Sequence, residues 1–295
     1  MAADDRISPI LGFSETGNFS LNTSEMPEGV VCWVEEKDNE IQFTIDHKLK
    51  QSKDIALLWI NVSQSLKSKT KQYNYRVPAD DPTYCPDTSI TKSPLLTTTW
   101  DQWGNGFNNL ITLVCPSNPG GKAPTGCVAT ALAQIMRYFQ KPNTYNWANM
   151  PANFGTYDTQ LLMKNAGLSV NMNYGCAGLG AYSSDVAPAL KNVFGYTNAT
   201  YADYNYATVK NQIDLNKPVY LSGGNHAWVC DGYNSATFYQ KDDNGICTGY
   251  AVTTLYFNMN WGWGGASNGY FAFNNFNPSG YNFNSNLKMV YNITP

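Results

Sequence analysis

A chain of 295 residues with 43% hydrophobic and 14% aromatic content is long enough to bury one large core or two ordinary ones. A net charge of −3 offers no basic face, which argues against nucleic acid as a partner, and no apolar run reaches the length of a membrane span. The charges are unevenly spread: residues 1–92 hold 24 charged side chains, the remaining 203 residues hold 17, and all six glutamates fall between Glu15 and Glu40. That shift predicts two units, 1–92 and 93–295, meeting somewhere between Val77 and Leu96.

Ile10 to Phe19 reads as a strand and a turn. Met26 to Gln51 spaces Val30, Val31, Trp33, Val34, Ile41, Ile45 and Leu49 roughly as one helix face, and Ile55 to Leu66 continues in that style. His47 falls on the solvated side of this segment and is read as a bystander. Pro78 to Ser93, rich in Pro, Asp and Thr, predicts an exposed linker where a protease can cut. Next, Pro94 to Asn108 mixes Trp, Gln and turn residues just ahead of Pro124 to Phe139, PTGCVATALAQIMRYF. There Thr125 is the expected N-cap and Pro142 forbids continuation. From Val128 onward almost every residue except Gln134 and Arg137 is apolar or small, the pattern of a helix buried on nearly all sides.

Cys127 therefore opens a buried helix, where unpaired backbone N–H groups and the helix dipole favour a thiolate. A structural core cysteine is the competing reading. Tyr157 to Ala166 and Ser183 to Phe194 have helical spacing, with Gly175 to Gly180 as a loop between them. Lys217 to Tyr233 and Tyr250 to Asn258 alternate like strands, and Asn260 to Gly265, NWGWGG, precedes a further strand at Tyr270 to Phe273. The 93–295 unit is thus α+β, helical first and β-rich second.

Seven cysteines without a CxxC pair give no zinc motif and leave room for three disulfides and one free thiol. A nucleophilic Cys127 needs a base near neutral pH, and His226 is the one imidazole of the 93–295 unit. Asn260, followed by Trp261, can orient that imidazole with its amide oxygen while the indole shields the bond from water. Asp231 is a rival orienter, but its odd offset along a strand points it to the opposite sheet face. The backbone N–H of Cys127 and the side-chain amide of Gln102 are the candidate oxyanion donors. Each residue alone passes for something ordinary: a core histidine, a glycine-rich turn, a surface glutamine. Gln, Cys, His and Asn in that order, each at a turn or at the start of an element, form a sharper signal.

The chain resembles the streptopain family of secreted bacterial cysteine peptidases. The residues that carry the likeness are PLLTTTWDQ (94–102), GCVATALAQIMRYF (126–139), VNMNYG (170–175), ALKNVFGY (189–196), KPVYLSG (217–223), HAWVCDGY (226–233) and NWGWGGASNGYF (260–271). ILGFSETGNF and the residues after it resemble the later part of that family's inhibitory propeptide. The resemblance implies a papain-like fold of two subdomains, a helical half and an antiparallel β half, over 93–295, with a partial α/β propeptide and linker over 1–92. It implies Cys127 as nucleophile, His226 as base, Gln102 in the oxyanion hole, and Asn260 with Trp261 supporting the imidazole. It further implies a secreted zymogen acting on polypeptide substrates, with its own propeptide as intramolecular inhibitor, no cofactor, and a monomeric state. Two other activities fit the same residues: a thiol acyl-transferase of transglutaminase type, and a catalytically silent binding protein on the same fold.

Overall fold

A computed structural model describes residues 85–295, apart from 178–179 and 243–244, and scattered positions in the N-terminal unit (4–7, 9, 38, 41–48, 50–51, 55–56, 58–60 and 62). Residues 41–46 are helical, and His47 lies exposed just beyond them with Nδ1 2.9 Å from the Phe43 carbonyl oxygen. The strand and turn read at Ile10 to Phe19, and Cys32, lie outside the described residues.

From residue 85 the chain builds one antiparallel sheet with helices against it. The elements in order are β1 (Thr88–Lys92), α1 (Cys127–Phe139), α2 (Tyr157–Ser169), α3 (Val186–Asn192), β2 (Asn198–Asp203), α4 (Tyr206–Asp214), β3 (Val219–Gly223), β4 (His226–Lys241), β5 (Cys247–Asn260), β6 (Gly269–Ala272) and β7 (Lys288–Thr294). The sheet runs β2-β7-β3-β4-β5-β6. Long strand β4 pairs along one edge with β5, while its other edge is shared: β3 covers residues 226–230 and β1 covers 233–237.

Alternation along the strands explains why the sheet has a core on each side. Ala227 and Val229 face the cluster built around α1, whereas Trp228 and Cys230 face a second cluster with Phe257, Met259, Trp261 and Phe276. Helix α1 buries Val128 through Met136 without a break. Each large apolar side chain so enclosed contributes about 1.5–3 kcal/mol by leaving water, which is why this helix sits at the centre.

The segment before α1 is tied down by backbone groups rather than by regular structure. Thr99 N–H donates to the Ala152 carbonyl at 2.8 Å, and the buried Trp100 indole donates to the Pro151 carbonyl at 2.8 Å. Asp231, at a bulge of β4 between its β3-paired and β1-paired stretches, holds the preceding residues: its carbonyl accepts from Leu95 N at 2.8 Å and its carboxylate from Leu96 N at 3.0 Å. Next to it Gly232 has no room for a side chain, because a Cβ there would lie 2.7 Å from the Lys92 carbonyl oxygen.

Several local expectations change. Gly126, with φ 87°, caps α1; Thr125 is buried and its hydroxyl pairs instead with that of Thr130 at 2.8 Å. Residues 88–92, expected within an exposed linker, form the solvent-facing strand β1, and Cys85 just before it is disulfide-bonded to Cys247 at the start of β5. A second disulfide joins Cys115 and Cys176, leaving Cys127 and Cys230 as the free thiols among the described residues. The elements β2, α4 and β7 have no counterpart among the elements expected from the sequence.

Two outcomes are expected from these tethers. Trypsin cutting after Lys92 should leave the peptide that holds Cys85 attached, so that intact mass drops by that peptide only after reduction. Burial raises the Asp231 carboxyl to about 7, above its unfolded value of about 3.9. Its contribution is therefore complete below about pH 4 and lost as pH rises through about 7. Asp231→Asn cannot ionise, so its urea midpoint is expected to gain on the parent's between about pH 5 and pH 8.

Candidate active site

The nucleophile candidate and the base candidate enter one cleft from opposite sides of the α1–β4 contact. Gly126 lets the chain turn into α1: besides its positive φ, a Cβ there would meet the Met172 sulfur and methyl at 2.7 Å. Cys127 comes next as the first helical residue. On the other side, a two-residue turn at Gly224 and Asn225 joins β3 to β4 and puts His226 first in β4, opposite Gly223. Cys127 and His226 both line a cleft of 430 Å³, together with Tyr182, Ser183, Ser222 and Asn286. Lys288 lies at the same cleft and is ion-paired with Asp203.

Burial pushes the Cys127 thiol up, opposed by the backbone N–H groups of Ala227, Val128 and Cys127 itself. Ala227 is the neighbour of His226, so the sulfur lies against the start of β4. His226 is held down to about 4 by burial, offset in part by its bond to the Trp261 backbone. The desolvating surroundings are aromatic: the Trp263 and Phe283 rings lie 4.8 and 4.9 Å from the imidazole, and those of Trp228 and Trp261 at 6.2 Å. Burial thus opposes each charge separately. A proton passed from the thiol to the ring creates both charges together, and the π faces around the ring favour the resulting imidazolium.

The imidazole is oriented by a backbone carbonyl. His226 Nε2 lies 2.9 Å from the Trp261 oxygen. A carbonyl only accepts, so Nε2 carries a hydrogen and Nδ1 is the nitrogen left to exchange a proton in the cleft. Asn260 does not occupy that place. Its oxygen accepts from Gln134 Nε2 at 3.1 Å and from Gly262 N at 3.2 Å, and its amide nitrogen donates to the Thr98 carbonyl at 2.7 Å. Asp231, at the bulge of β4, is spent on Leu96 and makes no bond to His226 among the described residues. Gln102 is brought close by its backbone: its carbonyl accepts from Thr125 N at 2.7 Å, two residues before Cys127. Its side-chain amide makes no hydrogen bond among the described residues, and so is free to donate to a bound group.

Cys127 and His226, singled out in the sequence, line one cleft, and the Trp261 ring lies 6.2 Å from the imidazole; Gln134, Trp228 and Phe283 were not expected there. Gln134 was visible as the polar exception in an apolar helix. The two rings offered no signal, because they look like any core aromatics.

A family model described as the Peptidase C10 family matches residues 100–144 and 141–271. Over 94% of its length the chain is 29% identical to the thiol protease/hemagglutinin PrtT of Porphyromonas gingivalis, and it spans 32% of that protein, about a third. Over 95% of its length it is 27% identical to streptopain of Streptococcus pyogenes, of which it spans 72%. The active wild-type interpain A cysteine protease of Prevotella intermedia superposes with a TM-score of 0.52 at 27% identity, covering 68% of this chain and 94% of that one. A prointerpain A fragment from the same organism gives 0.58 at 26% identity, covering 100% and 91%. The shared architecture is the papain-like α+β fold.

The turn at Gly126 has little tolerance for a side chain, since its φ is positive and a Cβ would press on Met172. Gly126→Ala combines a positive φ with a clash, and is expected to cost about 1–3 kcal/mol of stability. It is also expected to slow alkylation of Cys127, measured by denaturant unfolding and by iodoacetamide labelling.

Proposed function

Because the chain belongs to the Peptidase C10 family and is a cysteine-type peptidase, we propose that Cys127 and His226 carry its chemistry, and that it is a zymogen. The thiol proton passes to His226 Nδ1, and the Cys127 sulfur attacks the carbonyl carbon of a peptide bond in the cleft. The oxyanion forms beside the Cys127 N–H, with the Gln102 amide as second donor. The imidazolium then gives its proton to the leaving amine. Water, deprotonated by the same ring, hydrolyses the thioester and regenerates the thiol. Throughout, the Trp261 carbonyl keeps the ring in one tautomer and the aromatic rings keep bulk water from its faces.

The observation that carries this reading is the convergence of Cys127 and His226 on one cleft, with the helix N-terminus behind the sulfur and an acceptor behind the imidazole. The zymogen reading is supported by extent of match: the prointerpain A fragment aligns with 100% of the chain, active interpain A with 68%. On this reading residues 1–92 hold part of an inhibitory prosegment and 93–295 the catalytic domain. Two disulfides suit an oxidising compartment and support secretion. Polypeptides are the substrates.

Cys127→Ala and His226→Ala are each expected to lower kcat/KM on a peptide substrate by at least about a thousandfold. In parallel, intact mass over time should show the parent chain losing N-terminal sequence while Cys127→Ala stays whole. Hydrolysis undiminished in Cys127→Ala would overturn the assignment. Transfer of the acyl group to an added amine in place of water would make the enzyme a transferase.

A further inference from the structure

Gln134 lies seven residues after Cys127, about two turns along the same helix and therefore on nearly the same face. It is fully buried in a helix whose other residues from Val128 through Met136 are apolar except Thr130, and there an unpaired amide is costly. Here the amide is paired at both ends. Its oxygen accepts from the Thr98 hydroxyl at 2.9 Å and from Trp100 N at 3.3 Å, while its nitrogen donates to Asn260 Oδ1 at 3.1 Å. The same Asn260 oxygen accepts from Gly262 N, closing a turn with Trp261 at its apex, and Trp261 N donates to Asn268 Oδ1 at 3.0 Å. From that apex the carbonyl meets His226 Nε2.

We infer that Gln134 is a positioning residue for the peptidase reaction: by fixing the Asn260 amide it sets the turn that presents the Trp261 carbonyl to His226. The inference rests on the catalytic roles proposed for Cys127 and His226. One helix then controls both partners, offering the thiol at its first turn and orienting the imidazole's acceptor through its third. The direction of the bonds is specific. Asn260 must offer its oxygen to Gly262 and its nitrogen to Thr98, and a donor at position 134 is compatible only with that orientation. A carboxylate at 134 would set acceptor against acceptor and drive the Asn260 amide to turn over, taking the acceptor from Gly262 N. An apolar side chain of equal length would leave the amide without its guide.

The test uses the full chain with Gln134→Met and Gln134→Glu, incubated until the parent is active. Because the chain has two histidines, the ring N–H of His226 can be assigned by nitrogen-15 NMR against a His47→Gln control. The expected result is a fall in kcat of at least about tenfold with KM nearly unchanged, and loss of the solvent-protected His226 Nε2–H signal in a variant that remains folded. Combined with Asn260→Ala, Gln134→Met should add little further loss, since both act through one turn. Unchanged kcat and an unchanged His226 signal in a folded variant would overturn the proposal, as would fully additive losses. Should neither Gln134 variant fold, Thr98→Val, which removes only the hydroxyl held by Gln134, is expected to shift the same two readouts less strongly; no shift overturns the proposal. If the parent chain itself hydrolyses nothing, the peptidase roles fail, while the His226 signal still reports on Gln134 directly.

Discussion

The burial of α1 against one face of β4 is the contact on which the rest of the molecule depends. A helix with an unbroken buried run from Val128 to Met136 has to be covered on nearly every side, so the sheet, α2 and the 94–100 segment are all drawn to it. The same contact fixes the site. With the helix packed on Ala227 and Val229, its amino end comes to the end of β4 where His226 stands, and the cleft is the gap left above that junction. The cleft thus lies at the edge of close packing, where the positions of Cys127 and His226 are fixed by the core.

The imidazole in this cleft is held without a carboxylate beside it. Asp231 is close in sequence to His226 but accepts from the Leu96 N–H and works as a backbone anchor. The groups that surround the imidazole are a carbonyl and aromatic faces. Burial pushes the Cys127 thiol up and holds the imidazole down to about 4, so neither charge is favoured on its own.

Much of this was legible in the residues. The helix announced itself by its apolar run, and Cys127 by its place at the start; His226 followed from the scarcity of imidazoles after residue 93. The orienter was read one position too early: Asn260 is a side chain and visible in a sequence, whereas the Trp261 carbonyl is backbone and could belong to any residue. Asn260 and Gln134 together are a pair of neutral amides 126 residues apart, whose meeting is decided by tertiary packing. Strand β1 was hidden for a related reason. TSITK is short and comes after a run of Pro and Asp, and its pairing exists only because Gly232 lets Lys92 approach β4. The disulfides, spanning 162 and 61 residues, leave no trace in local spacing.

On the proposed zymogen reading, the bond between Cys85 and Cys247 bears on how an inhibitor segment can leave. A free peptide, once cut, is lost by dilution and its rebinding depends on how much protein is present. A segment joined through Cys85 instead competes for its site at an effective concentration set by the tether, in the range of about millimolar for short flexible links. For any cut that falls between Cys85 and the helix of Cys127, inhibition would then be independent of enzyme concentration, and crowded and dilute surroundings would be equivalent. What would separate them is the thiol potential of the surroundings, because two electrons and two protons delivered by a thiol reductant turn the bridge into two cysteines and the attached segment into a diffusing one.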